Sequence, residues 1–283
     1  MDIGAHVAAL DREGRMLVAT ARRTDLGLPV PTCPGWRLAD VLAHVGFVHR
    51  WATHYVRTAV VDMVDEPDEA TILEIAPPGS ERCDWVAQGL AALVTALRAA
   101  PGDLTCWTFL PAVSPLAMWA RRQAHETTVH RVDVELAAGV SPSPVEPKLA
   151  ADGIDELLSA FFGRPARRLA GVPGGGVTIG LDAVDTAGTF DTGDGLDAVD
   201  TAGTFDTGDG AGKPGGSGRW TVRVSGTGIA AGRGAGARDV TVRGTSSDLY
   251  LLLWHRRPLE GLEVEGPVEL FEHAWGSRAV TWT

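Results

Sequence analysis

The sequence predicts an α plus α+β protein, in which a helical domain at residues 1–145 precedes a smaller α+β domain at residues 150–283. Residues 1–150 contain nine of the 35 glycines and six of the eight histidines, whereas residues 171–240 contain twenty glycines. Residues 139–147 begin with a glycine and contain three prolines, which end a helix and keep the chain extended. We therefore expect a linker between the two domains at this point.

The first domain contains four segments with the apolar spacing of amphipathic helices. Asp2 can cap the first helix, and the second covers residues 37–58, where apolar side chains recur every three or four positions. The third helix starts after Ser80, and the fourth starts with Ser114 as N-cap and Pro115 at its first position. Four such helices predict a four-helix bundle.

The second domain contains both strand and helix patterns. Alternating apolar residues predict strands at residues 176–181, 219–224, 239–243 and 262–265, and two apolar segments predict helices at residues 246–254 and 268–275. This mixture of elements predicts an α+β domain.

A duplicated segment accounts for most of the net charge of −11. Residues 180–194, GLDAVDTAGTFDTGD, recur unchanged at residues 195–209, and each copy has four aspartates and no basic residue. The segment lacks the D-x-D-x-D-G order of a calcium-binding EF-hand loop, so we interpret it as a duplicated acidic surface loop. The rest of the chain is mildly acidic, which argues against a basic surface for nucleic acid.

Neither a membrane span nor a disulfide scaffold is expected. The sequence has no run of about 18 apolar residues, and its N-terminus lacks the basic and then apolar order of a signal peptide. Three cysteines without a CxxC motif favour a reducing compartment. We therefore expect a cytoplasmic protein, monomeric or homodimeric, that takes any reactive thiol from outside the chain.

Polar side chains line one face of the fourth predicted helix. Glu126 and His130 are four residues apart and share a face, which continues through Trp119, Gln123 and Asp133. The two histidines of this helix are five residues apart, which excludes the HExxH motif of zinc proteases. A bundle helix presents mostly apolar residues inward, so polar groups on an inward face need partners.

His44 is a candidate partner, because it lies in an apolar stripe of the second helix. With Glu126 and His130 it gives two imidazoles and one carboxylate, a set that suits Zn²⁺ or another divalent metal with an open fourth position. Asp40 and Asp133, each one turn from a histidine, could accept hydrogen bonds from the rings and orient them. Spacing alone leaves two alternatives open, namely a solvated Glu/His pair and a histidine satisfied within the core.

Two helix signatures and a tail carry a resemblance to a known family. The signatures are TCPGW at residues 32–36 followed by LADVLAHV at residues 38–45, and then Trp119, Arg122, Glu126, His130 and Asp133; the tail is VRGTSSDLYLLLWHRR at residues 242–257. In this order they resemble the mycothiol-dependent maleylpyruvate isomerase family over nearly the whole chain.

The resemblance implies a DinB-like four-helix bundle that holds a divalent metal through His44, Glu126 and His130. It also implies a C-terminal domain similar to the sterol-carrier type, and mycothiol as the thiol cofactor. In an isomerase, zinc-bound mycothiol thiolate adds to the conjugated double bond of maleylpyruvate, the bond rotates, and elimination gives the trans isomer. In an S-transferase, the same thiolate attacks a small electrophile and stays attached.

Three further residues are candidates for binding the electrophilic substrate. A dicarboxylate would need cations, and Arg82, near the start of the third helix, and Arg256, after the C-terminal apolar helix, could supply them. Trp119 lies on the ligand stripe and is the third candidate. The alternative function is a non-catalytic module that binds a small molecule or lipid and has a structural metal site.

Overall fold

The computed structural model of the chain describes residues 1–63, 69–162, 176–185, 218–226 and 228–276. The chain divides into two compact units, Met1–Val145 and Glu146–Thr283. None of the described helices is long and apolar enough to cross a membrane.

The first unit is mostly helical. Its helices are α1 (Ile3–Ala21), α2 (Leu38–Thr58), α3 (Glu69–Ile75), α4 (Glu81–Ala99) and α5 (Pro115–Ala137). The long helices begin where the sequence places them: the Asp2 carboxylate accepts a hydrogen bond from the Ala5 N–H, and the Ser114 hydroxyl accepts one from the Ala117 N–H. The short helix α3 was not predicted.

The four long helices pack so that α1 and α2 each contact both α4 and α5. Leu10 and Leu17 of α1, Leu42 of α2 and Leu93 of α4 are among the fully buried core residues. Helix α5 is unusual because every residue from Arg122 to Glu135 is buried, although many of them are polar or charged. These polar groups must find partners inside the protein.

A buried ionic network fixes the second half of α5. The Arg131 guanidinium donates hydrogen bonds to Glu13 of α1 at 3.0 Å, to Glu135 at 2.6 Å and to the carbonyl of Ser143 at 2.6 Å. Glu135 in turn accepts hydrogen bonds from the N–H and hydroxyl of Ser143. The network joins α1, α5 and the segment that follows α5, and so fixes the rotation of α5 about its axis.

The second unit contains a mixed five-stranded sheet with helices. It begins with α6 (Pro147–Asp155) and a π-helical segment (Glu156–Phe161), and continues with β1 (Val177–Ala183), β2 (Arg219–Ser225), β3 (Gly228–Arg233), β4 (Val240–Gly244), α7 (Ser246–Leu253), β5 (Glu263–Glu265) and α8 (Val268–Trp275). The strand order is β3-β2-β1-β4-β5, with β1 and β4 parallel and the other neighbours antiparallel. Helix α6 and strand β3 were not predicted.

The duplicated segment starts inside the sheet rather than in a loop. Residues Gly180 to Ala183 belong to β1, and Asp182 accepts a hydrogen bond from the Arg238 guanidinium at 2.7 Å. Asp185 accepts hydrogen bonds from the N–H and hydroxyl of Ser246 at the start of α7, at 2.8 and 2.7 Å. The prediction of a surface loop is therefore wrong for these first residues, and its remainder, residues 186–209, lies outside the described residues.

Deleting residues 195–209 should change the free energy of unfolding by less than about 0.6 kcal/mol, because loop-closure entropy varies slowly with length. The two copies are identical, so the deletion leaves every residue of the sheet unchanged. Asp185→Ala should instead cost about 1 kcal/mol or more, because it removes the acceptor of two Ser246 donors. Urea unfolding of both variants measures the difference, and loss of folding in the deletion variant would contradict the expectation.

Candidate metal centre

Helices α2 and α5 bring His44, Glu126 and His130 together. The Nε2 atoms of His44 and His130 lie 2.9 and 3.1 Å from the same oxygen, Oε1 of Glu126. The side chain of His44 is 19% exposed, and those of Glu126 and His130 are 4% and 8% exposed. The three side chains therefore form a compact set that can be reached from the His44 side.

Asp133 determines which nitrogen of His130 faces Glu126. The Nδ1 atom of His130 lies 2.8 Å from Oδ2 of Asp133, and because a carboxylate only accepts, Nδ1 carries the hydrogen. In a neutral ring, the lone pair of Nε2 then points at the carboxylate oxygen of Glu126. Two electron pairs at this distance repel each other unless a proton or a metal cation lies between them.

In the metal-free protein, a proton satisfies this arrangement. Burial lowers the pKa of His130, but the hydrogen bonds with Asp133 and Glu126 outweigh burial and raise the pKa to about 9. Burial raises the pKa of Glu126, but hydrogen bonds from His130 and His44 and the charge of Arg122 hold it well below its ordinary value. The set thus keeps a carboxylate charged in the interior, beside two rings.

The donor set fits a divalent cation. Zinc bonds of about 2.0–2.1 Å in tetrahedral geometry separate neighbouring ligand atoms by about 3.3 Å, slightly more than the distances found here. A cation that replaced the proton on His130 Nε2 would thus require only a small increase in the two Nε2–Oε1 distances of 2.9 and 3.1 Å. His44, Glu126 and His130 are also one of the groups of potential ligands whose atoms all lie within 4.8 Å of one another.

Four neighbouring residues complete the site. Arg122, 1% exposed, donates a hydrogen bond from Nη2 to Oε2 of Glu126 at 3.1 Å. The Thr32 hydroxyl donates to Oδ1 of Asp133 at 2.5 Å, and the Cys33 sulfur lies 3.5 Å from Oδ2. The Trp36 ring stacks on that of His130, with centroids 6.5 Å apart and planes at 14°.

The last three residues come from one turn before α2. Gly35 has φ of +88°, a conformation that favours glycine, and the following residue, Trp36, returns the chain toward α2. Threonine, cysteine and tryptophan in this turn carry no helical or strand periodicity. The signal that could have found them is the TCPGW motif itself, to which no chemical role was given.

The other predicted site residues lie elsewhere. Asp40 accepts a hydrogen bond from the Arg37 N–H at the start of α2, at 2.8 Å, rather than one from His44. Arg82 donates to the carbonyls of Pro77 and Ala39, both at 2.9 Å.

Two further candidates remain from the sequence analysis. Trp119 is fully buried, and its indole N–H donates to the Trp107 carbonyl at 3.0 Å. Arg256 belongs to the second unit, where it donates to the Trp254 carbonyl at 2.8 Å.

Comparisons with known proteins define the class of both units. Residues 7–135 match the family model of the mycothiol maleylpyruvate isomerase N-terminal domain, and residues 148–273 match that of the MDMPI C-terminal domain. The chain therefore belongs to the mycothiol maleylpyruvate isomerase family, as the signatures and tail predicted.

Solved structures share this fold. The crystal structure of the mycothiol-dependent maleylpyruvate isomerase is 12% identical, with a TM-score of 0.58, and the match covers 94% of this chain and 95% of that one. A histidine-to-alanine mutant of that isomerase matches with the same identity and coverage and a TM-score of 0.57. No curated protein matches the chain. At this level of identity, the likeness establishes the fold.

Proposed function

We propose that the protein is a metal-dependent enzyme that uses mycothiol as its thiol cofactor. The proposed reaction is either cis-trans isomerisation like that of maleylpyruvate isomerase or thiol S-transfer to a small electrophile. The observation that carries the proposal is the convergence of two histidine Nε2 atoms on one buried carboxylate oxygen of Glu126. Family membership supports the choice of thiol.

The proposed ligands are His44, Glu126 and His130, and zinc is the proposed ion. A cation held there supplies Lewis acidity that lowers the pKa of a coordinating thiol, and mycothiol supplies the thiol. No side chain beyond these ligands is assigned a role in bond making or breaking.

The surrounding residues hold the ligands in position. The Asp133 carboxylate keeps the hydrogen on Nδ1 of His130 and so directs Nε2 toward Glu126. Arg122 compensates the charge of Glu126 where water cannot. Trp36 covers one face of His130 and lies 5.3 Å from the His44 ring, so it narrows the approach to the site.

The finer description of the fold belongs to the same proposal. We infer that the four long helices form a DinB-like bundle domain and that the second unit is a sterol-carrier-like domain. Arg256 remains our candidate for binding a substrate carboxylate. Arg82 is the weaker candidate, because two of its N–H groups already donate to main-chain carbonyls. We also propose a cytoplasmic location, where mycothiol would be reduced.

A thiol-transfer screen on the metal-loaded protein tests the function. Maleylpyruvate and a set of small electrophiles are offered with mycothiol, without thiol, and with mycothiol after chelation of the metal. Turnover that requires both mycothiol and metal supports the proposal. If turnover is absent in all three arms while the protein holds stoichiometric metal, the metal is structural and the proposal is wrong.

Asp133→Asn should weaken zinc binding by about 10- to 100-fold, because outer partners of ligating histidines contribute this much to affinity. The amide can donate to the ring as well as accept from it, so it no longer requires the hydrogen on Nδ1. Competition with a chromogenic chelator measures the affinity. Asp40→Asn is the matched control, because Asp40 hydrogen-bonds the Arg37 N–H, and equal loss in both variants would contradict the assigned role.

A further inference from the structure

Five aromatic side chains form one cluster in the helical unit, which we call the aromatic cluster. Its members are Trp51, Tyr55, Trp107, Phe109 and Trp119. The ring centroids of the contacting pairs are 5.1 to 6.3 Å apart, in stacked, tilted and edge-on arrangements. A cluster of this size supplies a large area of ring surface.

The aromatic cluster lies along the same pair of helices as the candidate ligands. Trp51 follows His44 on α2 by seven residues, and Trp119 precedes Glu126 on α5 by seven residues. Seven residues are two turns, or about 10 Å, and return to the same helix face. Since His44 contacts Glu126 and Trp51 contacts Trp119, the ligand set and the aromatic cluster occupy two ends of one α2–α5 contact.

Of the polar atoms buried at this contact without a hydrogen-bond partner among the described residues, two belong to residues in or next to the aromatic cluster. One is Oε1 of Gln123, a residue 1% exposed that lies on α5 between Trp119 and Glu126. The other is Nε1 of Trp51. A buried donor or acceptor without a partner destabilises a protein, and such groups in native structures call for an explanation. An unpartnered acceptor and an unpartnered donor at one helix contact are complementary to a polar, uncharged ligand group.

The aromatic cluster has a closed base and an accessible rim. Tyr55 and Trp119 are fully buried, whereas Trp51, Trp107 and Phe109 are each partly exposed. Trp107 and Phe109 come from the irregular segment between α4 and α5. A small ligand that reached the two unpartnered atoms would have to pass among the partly exposed rings of Trp51, Trp107 and Phe109.

We propose that the aromatic cluster, with Gln123, is a subsite for an uncharged planar group of the electrophilic substrate. This deepens the proposed function and rests on it for the identification of the ligand as a substrate. Aromatic rings offer apolar surface on which planar groups can stack, and their negative faces disfavour carboxylates. The Gln123 oxygen would accept a hydrogen bond from the group, and the Trp51 indole N–H would donate one.

Binding is tested on the full, metal-loaded chain with 4-nitroaniline, an uncharged planar probe, and with maleate, a small dicarboxylate. Calorimetry should detect 4-nitroaniline binding that weakens about tenfold in Trp51→Ala. Maleate should bind equally to both proteins. Trp51→Phe keeps an aromatic ring but lacks the indole N–H, so its loss of affinity for 4-nitroaniline should be smaller. Trp85→Phe is the matched control, because Trp85 packs against Arg50 and makes no ring contact with the aromatic cluster among the described residues.

Gln123→Met distinguishes a ligand-binding role from a structural one. The change keeps the side-chain length and removes a buried acceptor that has no partner in the described part of the chain, so it should raise the melting temperature while it weakens 4-nitroaniline binding. A structural glutamine would give the opposite result, with a lower melting temperature and unchanged binding. That result would overturn the role of Gln123.

Turnover separates failure of this subsite from failure of the proposed function. With mycothiol and 4-nitrobenzyl chloride, the thiol releases its proton to the buffer, a C–S bond forms, the C–Cl bond breaks and chloride leaves. Iodoacetamide is the small comparison electrophile. KM should rise about tenfold for the nitrobenzyl substrate alone in Trp51→Ala. Binding of 4-nitroaniline without any thiol-dependent turnover would sustain the subsite and reject the enzyme. Equal KM effects on both electrophiles, or absent 4-nitroaniline binding, would overturn the subsite.

Discussion

Replacing His130 by alanine should abolish both metal binding and thiol-dependent turnover. His130 supplies one of three donor atoms, and its Nε2 lies 3.1 Å from Oε1 of Glu126. With two ligands left, we expect less than about a tenth of the wild-type metal after dialysis, and at least a roughly hundredfold loss of turnover. Elemental analysis by mass spectrometry measures the metal, and the mycothiol assay measures the turnover.

His54→Ala provides the matched control for this experiment. His54 is an exposed histidine of the same pair of helices, on α2, and it is absent from the candidate ligand set. Its removal should leave the metal content at the wild-type value. Equal metal in wild type and His130→Ala would show that the ion, if bound, is held elsewhere.

Arg131→Ala should lower the free energy of unfolding by about 3–5 kcal/mol, because it leaves the buried carboxylate of Glu135 without its cation and leaves Glu13, among the described residues, with only the half-exposed Arg12. The side chain of Arg131 is completely buried, so water cannot replace it. A loss of this size is a large part of the stability of a typical domain. Urea unfolding, followed by the helical circular dichroism signal, measures this loss of free energy.

Arg15→Ala is the control for charge removal. Arg15 makes the same kind of contact, a guanidinium with Asp11 at 2.8 Å, but its side chain is 75% exposed. We expect a change below about 1 kcal/mol there, because exposed ion pairs contribute little. Similar small losses in both variants would mean that the Arg131 network is not needed to position α5.

Local signals allowed the starts of the long helices to be predicted, because a capping side chain acts on residues close to it in sequence. The start of α6 at Glu146 was not predicted, although it also has a local signal. The Glu146 carboxylate accepts hydrogen bonds from the Lys148 and Leu149 N–H groups and caps α6. Pro147 at the first position of α6 also favours a helix start. The two prolines shortly before it, however, make the whole segment resemble a linker. Strand β3 carries little apolar pattern and forms by pairing with β2.

In the candidate site, too, the sequence predicts the residues on regular helices and misses those on irregular segments. The approach of His44 to Glu126 could be predicted from helical spacing, because two regular helices present side chains at known intervals. Thr32 and Trp36 reach the site from an irregular turn, where spacing says nothing about direction. Asp40 illustrates a second reason. It lies one turn before His44 but also in the first turn of α2, where its carboxylate caps the helix instead of accepting a hydrogen bond from His44.

Because β1 contains the first residues of the duplicated segment, the number of repeats in the gene can change without changing the strand. Val177 and Ile179, buried residues of β1, precede only the first copy, so their pairing with β2 determines which copy enters the sheet. Gain or loss of one whole unit by replication slippage therefore alters the length of the connection between β1 and β2 and leaves the strands themselves encoded as before. Natural populations that carry this gene should accordingly show length variation here in steps of one repeat.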